Sequence, residues 1–199
     1  MLVLVRHGET EGNAARQLLG RRESPLTARG RSEATALAAV LGPVSRLVSS
    51  PLRRARDTAG ALGLDVPLEI DERWIEVDYG ELEGRPLGDV PADLWRRWRA
   101  DPAFRPPGGE SLAEVGVRVR AACDELFARR GAGARDEADV VVVSHVSPIK
   151  AAVAWALGTG DEVVWRLQLA TASITRIGWG ADGPVLHAYN ATVPPGPVS

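Results

Sequence analysis

Cysteine and lysine are almost missing from this chain, which contains one of each, Cys123 and Lys150. A lone cysteine excludes an internal disulfide and is typical of a reducing compartment, so we expect a cytoplasmic protein. Long apolar runs are missing as well. The apolar start at residues 1–5 is shorter than a signal-peptide core or a membrane span, and it leads directly into Arg6. We therefore expect no membrane partner.

A strong excess of charge of either sign is also missing, since the formal net charge is -2 at pH 7. The whole molecule is therefore not expected to bind nucleic acid, and any basic site must be local. Because Lys150 is the only lysine, all other basic side chains apart from histidine are arginines. Arginine suits the binding of anions, because its guanidinium group donates two parallel hydrogen bonds.

The apolar residues are arranged in short runs that alternate with segments of helical periodicity. The runs 2–5 and 140–143 predict strands that are buried on both faces. Strands that alternate with helices predict a three-layer α/β/α sandwich with a mostly parallel central sheet. The length suffices for one domain with its own core, and we expect it over 1–199, with a loop over 131–138 and a frayed tail over 193–199.

Capping residues predict where several helices begin. Thr27 is an expected N-cap, and Ser111 with Glu114 forms the pattern of a capping box. The Ser-Pro pairs at 50–51 and 147–148 are expected to begin helices as well, because proline is favoured at the first helical position.

Three predicted strands end in residues that can bind or transfer a phosphoryl group. Arg6 and His7 follow the first strand, Ser50 and Arg54 follow the second, and His145 follows the longest apolar run. Because ligands bind at the carboxyl ends of parallel strands, these side chains are expected to meet at one edge of the sheet. Two imidazoles, two guanidinium groups and the N–H groups of helix N-termini are suited to a phosphate site.

The chemistry of such a site requires a nucleophile and an acid. A neutral imidazole can attack phosphorus, because the ordinary pKa of histidine, about 6.5, leaves the ring largely unprotonated at pH 7. A second histidine can donate hydrogen bonds to phosphate oxygens in the transition state. The acidic segment 72–85 offers Glu76 as the acid, and composition leaves its four acidic neighbours equally open. Work as an acid near neutrality requires that its pKa be raised.

The motifs resemble those of the histidine phosphatase superfamily, also called the phosphoglycerate mutase-like family. Residues 6–10 (Arg-His-Gly-Glu-Thr) resemble the signature of that family, and Asn13 follows at the family's distance. Further segments resemble family motifs in the same order, namely 24–30, 49–59, 76–84, 108–111 and 143–145. An ordered series of motifs is far more specific than one Arg-His-Gly tripeptide.

This resemblance implies a phosphomonoester hydrolase that acts through a phosphohistidine intermediate on a small phosphorylated metabolite. The implied catalytic set is His7 as the nucleophile, Glu76 as the proton donor, and Arg6, Arg54 and His145 around the phosphate. The implied phosphate-binding set is Gly8, Thr10, Asn13 and Val146. Neither a metal nor a cofactor is implied. Val146 and Ser147 depart from the pattern, because the family usually has a Gly-Gly pair there.

Two other functions fit the same residues, a cofactor-dependent phosphoglycerate mutase and a non-catalytic phosphate- or phosphoprotein-binding module. The segment 84–108 is shorter than in the mutases of the family, which favours hydrolysis. The segment 86–110 is a candidate lid that selects the substrate, although packing of a small helix explains its Trp95 and Trp98 equally well. We expect a monomer or a homodimer.

Three chemically active residues are assigned structural or surface positions. Cys123 and Arg129 have the spacing of cysteine-dependent phosphatases, but that chemistry needs a phosphate-binding loop after a strand. Here the span has helical periodicity, so Cys123 is interpreted as a small packed side chain. His187 lies in a late predicted strand and belongs to no motif, and Lys150 is expected at the surface or beside a bound anion.

Overall fold

The computed structural model describes residues 1–130 and 138–194. The strands are β1 (Leu2–Arg6), β2 (Val44–Ser49), β3 (Leu68–Ile70), β4 (Asp139–Ser144), β5 (Ser173–Gly180) and β6 (Gly183–Thr192). The helices are α1 (Glu11–Ala14), α2 (Ala28–Leu37), α3 (Arg53–Ala61), α4 (Ala92–Ala100), α5 (Leu112–Arg130) and α6 (Val146–Leu157). The loop predicted over 131–138 and the tail predicted over 193–199 lie outside the described residues at 131–137 and 195–199.

Six strands of the described part of the chain form one sheet in the order β3-β2-β4-β1-β5-β6. The first four strands of the chain run parallel to their neighbours among themselves, whereas β5 is antiparallel to both β1 and β6. The apolar residues of β1 and β4 are almost completely buried, as expected for central strands. A mostly parallel central sheet is therefore confirmed.

Helices cover both faces of this sheet. Leu2 and Leu4 point into a core that includes residues of α5 and α6, whereas Val3 and Val5 point into a core that includes residues of α2 and α3. This alternation follows from the strand, in which successive side chains point to opposite faces. The expected three-layer α/β/α sandwich is confirmed.

Two of the predicted helix starts are confirmed by their capping bonds. The Thr27 hydroxyl accepts a hydrogen bond from the backbone N–H of Gly30 over 2.9 Å at the start of α2. At the start of α5, the Ser111 hydroxyl accepts from the N–H of Glu114 over 3.2 Å, and the Glu114 carboxylate accepts from the N–H of Ser111 over 2.9 Å. This reciprocal pair is a capping box.

The Ser-Pro helix starts predicted at 50–51 and 147–148 are wrong. α3 begins after Leu52 and α6 begins after His145, and neither of these N-cap residues makes a side-chain capping bond. The Ser50 hydroxyl accepts the N–H of Leu52 over 3.3 Å and also lies 2.7 Å from Nε2 of His145. A side chain with the chemistry of a helix cap is thus used in a tertiary contact between the ends of two strands.

The segment 86–110 contains α4, which contacts the segment Asp161–Arg166. Trp98 is buried in a separate apolar cluster, and its ring stacks on that of Trp95 with centroids 5.6 Å apart. Trp165 meets both rings edge-on. The expected small helix is therefore observed, and its residues Trp95 and Trp98 are packed against other side chains. That this segment acts as a lid stays a proposal.

Candidate active site

The carboxyl ends of β1, β4 and β2 lie side by side. The N–H of His7 donates to the carbonyl oxygen of Ser144 over 3.0 Å, and the N–H of Ser50 donates to that of Val143 over the same distance. The rings of His7 and His145 consequently approach to 5.1 Å between centroids, with planes tilted by 57°. The predicted meeting of three strand ends at one edge is observed.

The His7 imidazole has its two nitrogens in different environments. Nδ1 lies 2.8 Å from the carbonyl oxygen of Gly8. A carbonyl oxygen can only accept, so Nδ1 carries the hydrogen, and in the neutral ring Nε2 keeps its lone pair. Burial, then the charges of Arg54 and Arg6, hold the pKa of His7 well below its ordinary value of 6.5. The ring is therefore neutral at pH 7 and has a free nucleophilic nitrogen.

Arg54 is completely buried and holds His145 in one tautomer. Its Nε donates to Nδ1 of His145 over 3.2 Å, and its Nη atoms donate to the carbonyl oxygens of Arg22 and Gly20. Because Nδ1 of His145 accepts, the hydrogen of the neutral ring is on Nε2, which donates to Ser50. Burial and the charge of Arg54 hold the pKa of His145 well below 6.5.

Arg6 places a second guanidinium group at this edge of the sheet. Its Nη1 donates to the carbonyl oxygen of Leu169 over 2.6 Å. Among the described residues, neither Arg6 nor Arg54 has a carboxylate within ion-pair distance. Burial lowers the pKa of both arginines, but a guanidinium group stays protonated in proteins. Two guanidinium groups without an ion-pair partner among the described residues, of the buried Arg54 and the half-buried Arg6, produce a positive potential that suits an anion.

Glu76 lies at the N-terminus of α6, almost completely buried. One carboxylate oxygen accepts the N–H of Val77 over 2.8 Å and that of Ser147 over 3.1 Å, and the other accepts the N–H of Val146 over 3.0 Å. A helix N-terminus favours a negative charge at this position. The charge of Glu76 raises the pKa of Arg54 against the effect of burial, so the carboxylate belongs to the same electrostatic site.

Burial distinguishes Glu76 from the four other carboxylates of the segment 72–85, none of which is buried. Glu83 accepts the N–H of Gly20 over 2.8 Å, and Asp78 accepts the N–H of Gly80 over the same distance, so both stabilise local backbone. Of the five acidic candidates in this segment, Glu76, which the family resemblance implies, is therefore the one that lies buried at the start of α6, and its role as the acid stays a prediction.

The predicted phosphate-binding residues lie in the loop after β1 and at the start of α6. The N–H of Gly8 donates to the Thr58 hydroxyl over 3.1 Å. Thr10 and Asn13 form a capping box, in which the Asn13 side-chain oxygen accepts from the N–H and hydroxyl of Thr10. The N–H of Val146 is bonded to the Glu76 carboxylate. Phosphate contacts by these residues stay predictions.

Sequence reasoning assigned no site role to Thr58 or Tyr79. Thr58 joins α3 to the loop after His7, because its hydroxyl accepts from Gly8 and donates to the carbonyl oxygen of Arg54 over 2.7 Å. Burial and the charge of Glu76 raise the pKa of the Tyr79 phenol, whose hydroxyl interacts with Ser147. Both residues lie inside recognisable motifs, at 49–59 and 76–84, and that position was the available signal.

The remaining chemically active side chains are placed away from the sheet edge or inside the core. Cys123 is completely buried in α5, and burial raises the pKa of its thiol, so its interpretation as a packed side chain is confirmed. His187 lies exposed on β6. Within residues 1–130 and 138–194, no three His, Cys, Asp or Glu side chains are grouped to hold a metal ion. No helix of this part of the chain has the length and apolar character needed to cross a membrane.

Comparison with known proteins relates the chain to curated bacterial proteins. A bifunctional protein of Mycobacterium tuberculosis is 39% identical over 192 residues, which cover 92% of this chain and 51% of that protein. The chain thus spans about half the length of this relative. A probable phosphoglycerate mutase GpmB of Yersinia enterocolitica is 33% identical over 202 residues, which cover 95% of this chain and 92% of that protein.

Solved structures show the same fold. The structure of the mycobacterial glucosyl-3-phosphoglycerate phosphatase in complex with VO3 superimposes with a TM-score of 0.86 at 33% identity, covering 96% of this chain and 98% of that chain. A family model described as the histidine phosphatase superfamily (branch 1) matches residues 2–192. The chain therefore belongs to the histidine phosphatase superfamily, and the resemblance seen in its motifs is confirmed.

Proposed function

We propose that the protein is a phosphomonoester hydrolase that acts through a phosphohistidine at His7 on a small phosphorylated metabolite. One observation carries this proposal. A neutral imidazole with a free Nε2 lies beside two guanidinium groups, of the half-buried Arg6 and the buried Arg54, that have no ion-pair partner among the described residues. Such a site attracts a phosphate group and presents a nucleophile to it.

In the first step, the lone pair on Nε2 of His7 forms a bond to phosphorus while the bond from phosphorus to the leaving oxygen breaks. Glu76 takes up a proton before this step, at the expense of the stabilisation that its three N–H donors give the carboxylate, and then gives the proton to that oxygen, so an alcohol leaves. The hydrogen bond from Nδ1 to the Gly8 carbonyl stabilises the positive charge that develops on the ring.

In the second step, the oxygen of a water molecule bonds to phosphorus and the bond from phosphorus to Nε2 of His7 breaks. The electron pair returns to Nε2, and Glu76 accepts the proton that the water loses. Inorganic phosphate leaves and Glu76 is again protonated, so the cycle closes without a metal or cofactor in any step.

The oxygens of the phosphoryl group are held by donors from several elements. Arg6 and Arg54 stabilise the charge in the transition state, and the ring of His145 does so once its Nε2–H is released from Ser50. Asn13 accepts from Thr10 through its side-chain oxygen, so its NH2 group is the end that donates to phosphate. The N–H groups of Gly8 and Val146 are further donors, and both must exchange their present acceptors to reach phosphate.

Trapping of the intermediate tests this proposal. We expect the protein to release phosphate from 4-nitrophenyl phosphate and, after an alkaline quench, to carry one acid-labile, alkali-stable phosphoryl group. His7→Ala should abolish both the turnover and the label. His187→Ala serves as the matched control, because His187 lies exposed on β6 and should leave both unchanged.

Near-normal turnover by His7→Ala contradicts the assignment of the nucleophile. A wild-type protein that binds inorganic phosphate but neither turns over phosphomonoesters nor accepts the label supports the non-catalytic binding module instead.

Several further properties stay predictions. They are a cytoplasmic location, the absence of a metal, a monomeric or homodimeric state, a single domain over 1–199, and a lid at 86–110 that selects the substrate.

A phosphoglycerate mutase is the second candidate, because a relative that is named as a probable phosphoglycerate mutase is 33% identical over nearly the whole chain. Such an enzyme keeps the phosphohistidine but returns the phosphoryl group to a second hydroxyl. Incubation with 3-phosphoglycerate, with and without 2,3-bisphosphoglycerate, separates the two. Isomerisation without release of phosphate identifies a mutase, whereas release of phosphate without isomerisation supports the hydrolase.

A further inference from the structure

A cavity of about 150 Å³ lies beside the proposed phosphate pocket. Three tryptophans, Trp95, Trp98 and Trp165, line it together with aliphatic side chains. Ser147 also lines it, and the N–H of Ser147 is bonded to Glu76. The cavity therefore begins next to the group that is proposed to protonate the leaving oxygen. The organic part of a bound substrate extends from that oxygen, so this cavity is its natural place.

The aromatic walls are flat and are held in place by one another. Trp95 and Trp98 are stacked with an angle of 16° between their planes, and Trp165 meets both edge-on at 6.1 and 5.9 Å. Tyr79 meets Trp98 edge-on at 5.5 Å. An apolar cavity of about 150 Å³ accommodates a benzene-sized ring. A single planar ring thus matches both the volume and the shape of the walls.

The cavity offers few partners for hydroxyl groups. Its polar lining groups in the described part of the chain are the side chains of Tyr79, Ser147 and Lys150 and the indole N–H groups. Those of Trp98 and Trp165 are buried without a hydrogen-bond partner and can only donate. A sugar ring buried here would leave several hydroxyls without hydrogen bonds, which weakens binding. The lining therefore favours an aromatic ring over a sugar.

Lys150 is the one charged side chain of this lining. It lies one turn after Ser147 on α6, and it makes no hydrogen bond or ion pair with any described residue. Burial lowers its pKa, and the charge of Glu76 acts in the opposite direction. A partly desolvated ammonium group without a partner favours an anion on the ligand.

On the basis of the function proposed above, we propose that the substrate is a phosphomonoester whose organic part is a single aromatic ring with a carboxylate. The ring lies against the tryptophans, and Lys150 binds the carboxylate. Lys150 and Trp165 thereby determine the specificity of the reaction and take no part in bond making or breaking.

Four primary phosphomonoesters test this proposal, because they share the same CH2–O–P linkage. They are glucose 6-phosphate, benzyl phosphate, and benzyl phosphate with a 4-carboxy or a 4-carbamoyl group. The last two have nearly the same size and differ in charge. Release of phosphate is measured for each, and kcat/KM is compared.

The ring and the charge are tested separately in this series. We expect kcat/KM for benzyl phosphate to exceed that for glucose 6-phosphate at least tenfold. We expect the carboxy compound to exceed the carbamoyl compound about tenfold, the order of a charge-assisted hydrogen bond. Lys150→Met should reduce the ratio of the carboxy to the carbamoyl compound to near 1. Trp165→Leu should reduce the ratio of benzyl phosphate to glucose 6-phosphate.

Trp155→Leu is the matched control for both variants. Trp155 lies on α6 like Lys150, but it meets Phe127 edge-on and donates to Asp124. It is not part of the cavity lining, so both ratios should stay unchanged. Because the readouts are ratios of two substrates on one protein, a general loss of folded enzyme cancels.

The outcomes separate this inference from the proposed function. Phosphate release from all four compounds with equal kcat/KM, or a carboxy preference that survives in Lys150→Met, overturns the inference and leaves the hydrolase standing. Release from none of the four, nor from 4-nitrophenyl phosphate, overturns the hydrolase and with it the inference.

Discussion

Nε of Arg54 donates a hydrogen bond to Nδ1 of His145 over 3.2 Å, deep inside the protein. This contact joins α3 to the end of β4 and defines the tautomer of the ring. It also leaves the guanidinium charge without a carboxylate partner among the described residues, so that the charge is available to an anion. The contact therefore connects the position of a helix with the chemistry of the site.

Arg54→Lys should damage both activity and stability. A lysine carries its three N–H donors on one nitrogen, so it cannot direct them to His145, Arg22 and Gly20 as the planar guanidinium of Arg54 does. We expect kcat/KM to fall about 100-fold and the free energy of unfolding to fall by roughly 2–4 kcal/mol, because buried acceptors lose their partners. Enzyme kinetics and urea unfolding measure the two effects. Arg53→Lys, at an exposed neighbouring position, should leave kcat/KM within twofold of the wild-type value and the free energy of unfolding unchanged. Equal losses in the two variants contradict the assignment.

Glu76→Gln should reveal its role through the leaving group. An amide cannot protonate an alkoxide, so kcat/KM for benzyl phosphate should fall about 10²- to 10⁴-fold. The loss should be much smaller for 4-nitrophenyl phosphate, whose leaving oxygen needs little protonation. Glu81→Gln is the control, since Glu81 lies exposed in the same acidic segment. The same loss for both substrates argues against Glu76 as the proton donor.

Gly8→Ala should misplace His7. A Cβ atom at Gly8 meets the carbonyl oxygen of Gly30, which is backbone and cannot rotate away. We expect the free energy of unfolding to fall by about 1–3 kcal/mol and kcat/KM to fall at least tenfold, on the order expected for a displaced catalytic group. Gly60→Ala, in open space within α3, should stabilise the protein by about 0.5–1 kcal/mol. Destabilisation of both variants to the same extent contradicts this account.

Stability should fall in acid because of the two buried histidines. The pKa values of His7 and His145 are held well below 6.5 by burial, then by Arg54. Below pH 6.5 the unfolded chain takes up protons that the folded protein excludes, so unfolding becomes easier. Above pH 6.5 both states are neutral and the effect vanishes. Between pH 7.5 and 5.5 we expect a loss of about 1.4 kcal/mol per histidine.

Urea unfolding in phosphate-free buffer measures this loss. The double variant His7→Gln/His145→Gln should lack it, so the difference in free energy of unfolding between wild type and variant should shrink by about 2–3 kcal/mol from pH 7.5 to 5.5. A constant difference across that range means that the two rings do not titrate as described.

Much of the architecture was predictable because it follows from local patterns. The apolar runs of β1 and β4 report burial on both faces, and the capping residues Thr27 and Ser111 make hydrogen bonds within three residues of themselves. Such interactions need no distant partner. The helix starts at α3 and α6 were mispredicted, since these helices begin after Leu52 and His145 and not at the Ser-Pro pairs. The Ser50 hydroxyl is bonded both to the nearby N–H of Leu52 and to the distant His145, and only the first of these contacts is local.

In the candidate site, too, the residues named by local motifs were predictable, whereas contacts between distant residues were not. The ordered motifs named His7, Arg54, Glu76 and His145, although composition alone left five carboxylates open. Burial and three backbone N–H bonds distinguish Glu76, and those donors include residues seventy positions away. No local pattern reports such a contact. The aromatic cavity was even less predictable from the sequence, since its walls come from segments spread between Leu18 and Trp165.

By itself, the amino-acid sequence determined the family, the layers and the residue types at the strand ends, because apolar periodicity and motif order are local properties of the chain. The tertiary structure alone decided the tautomers of His7 and His145, the burial of Glu76 against the start of α6, and the place of Lys150 in an aromatic wall. These depend on distances between remote residues and on burial, which sets the strength of each charge.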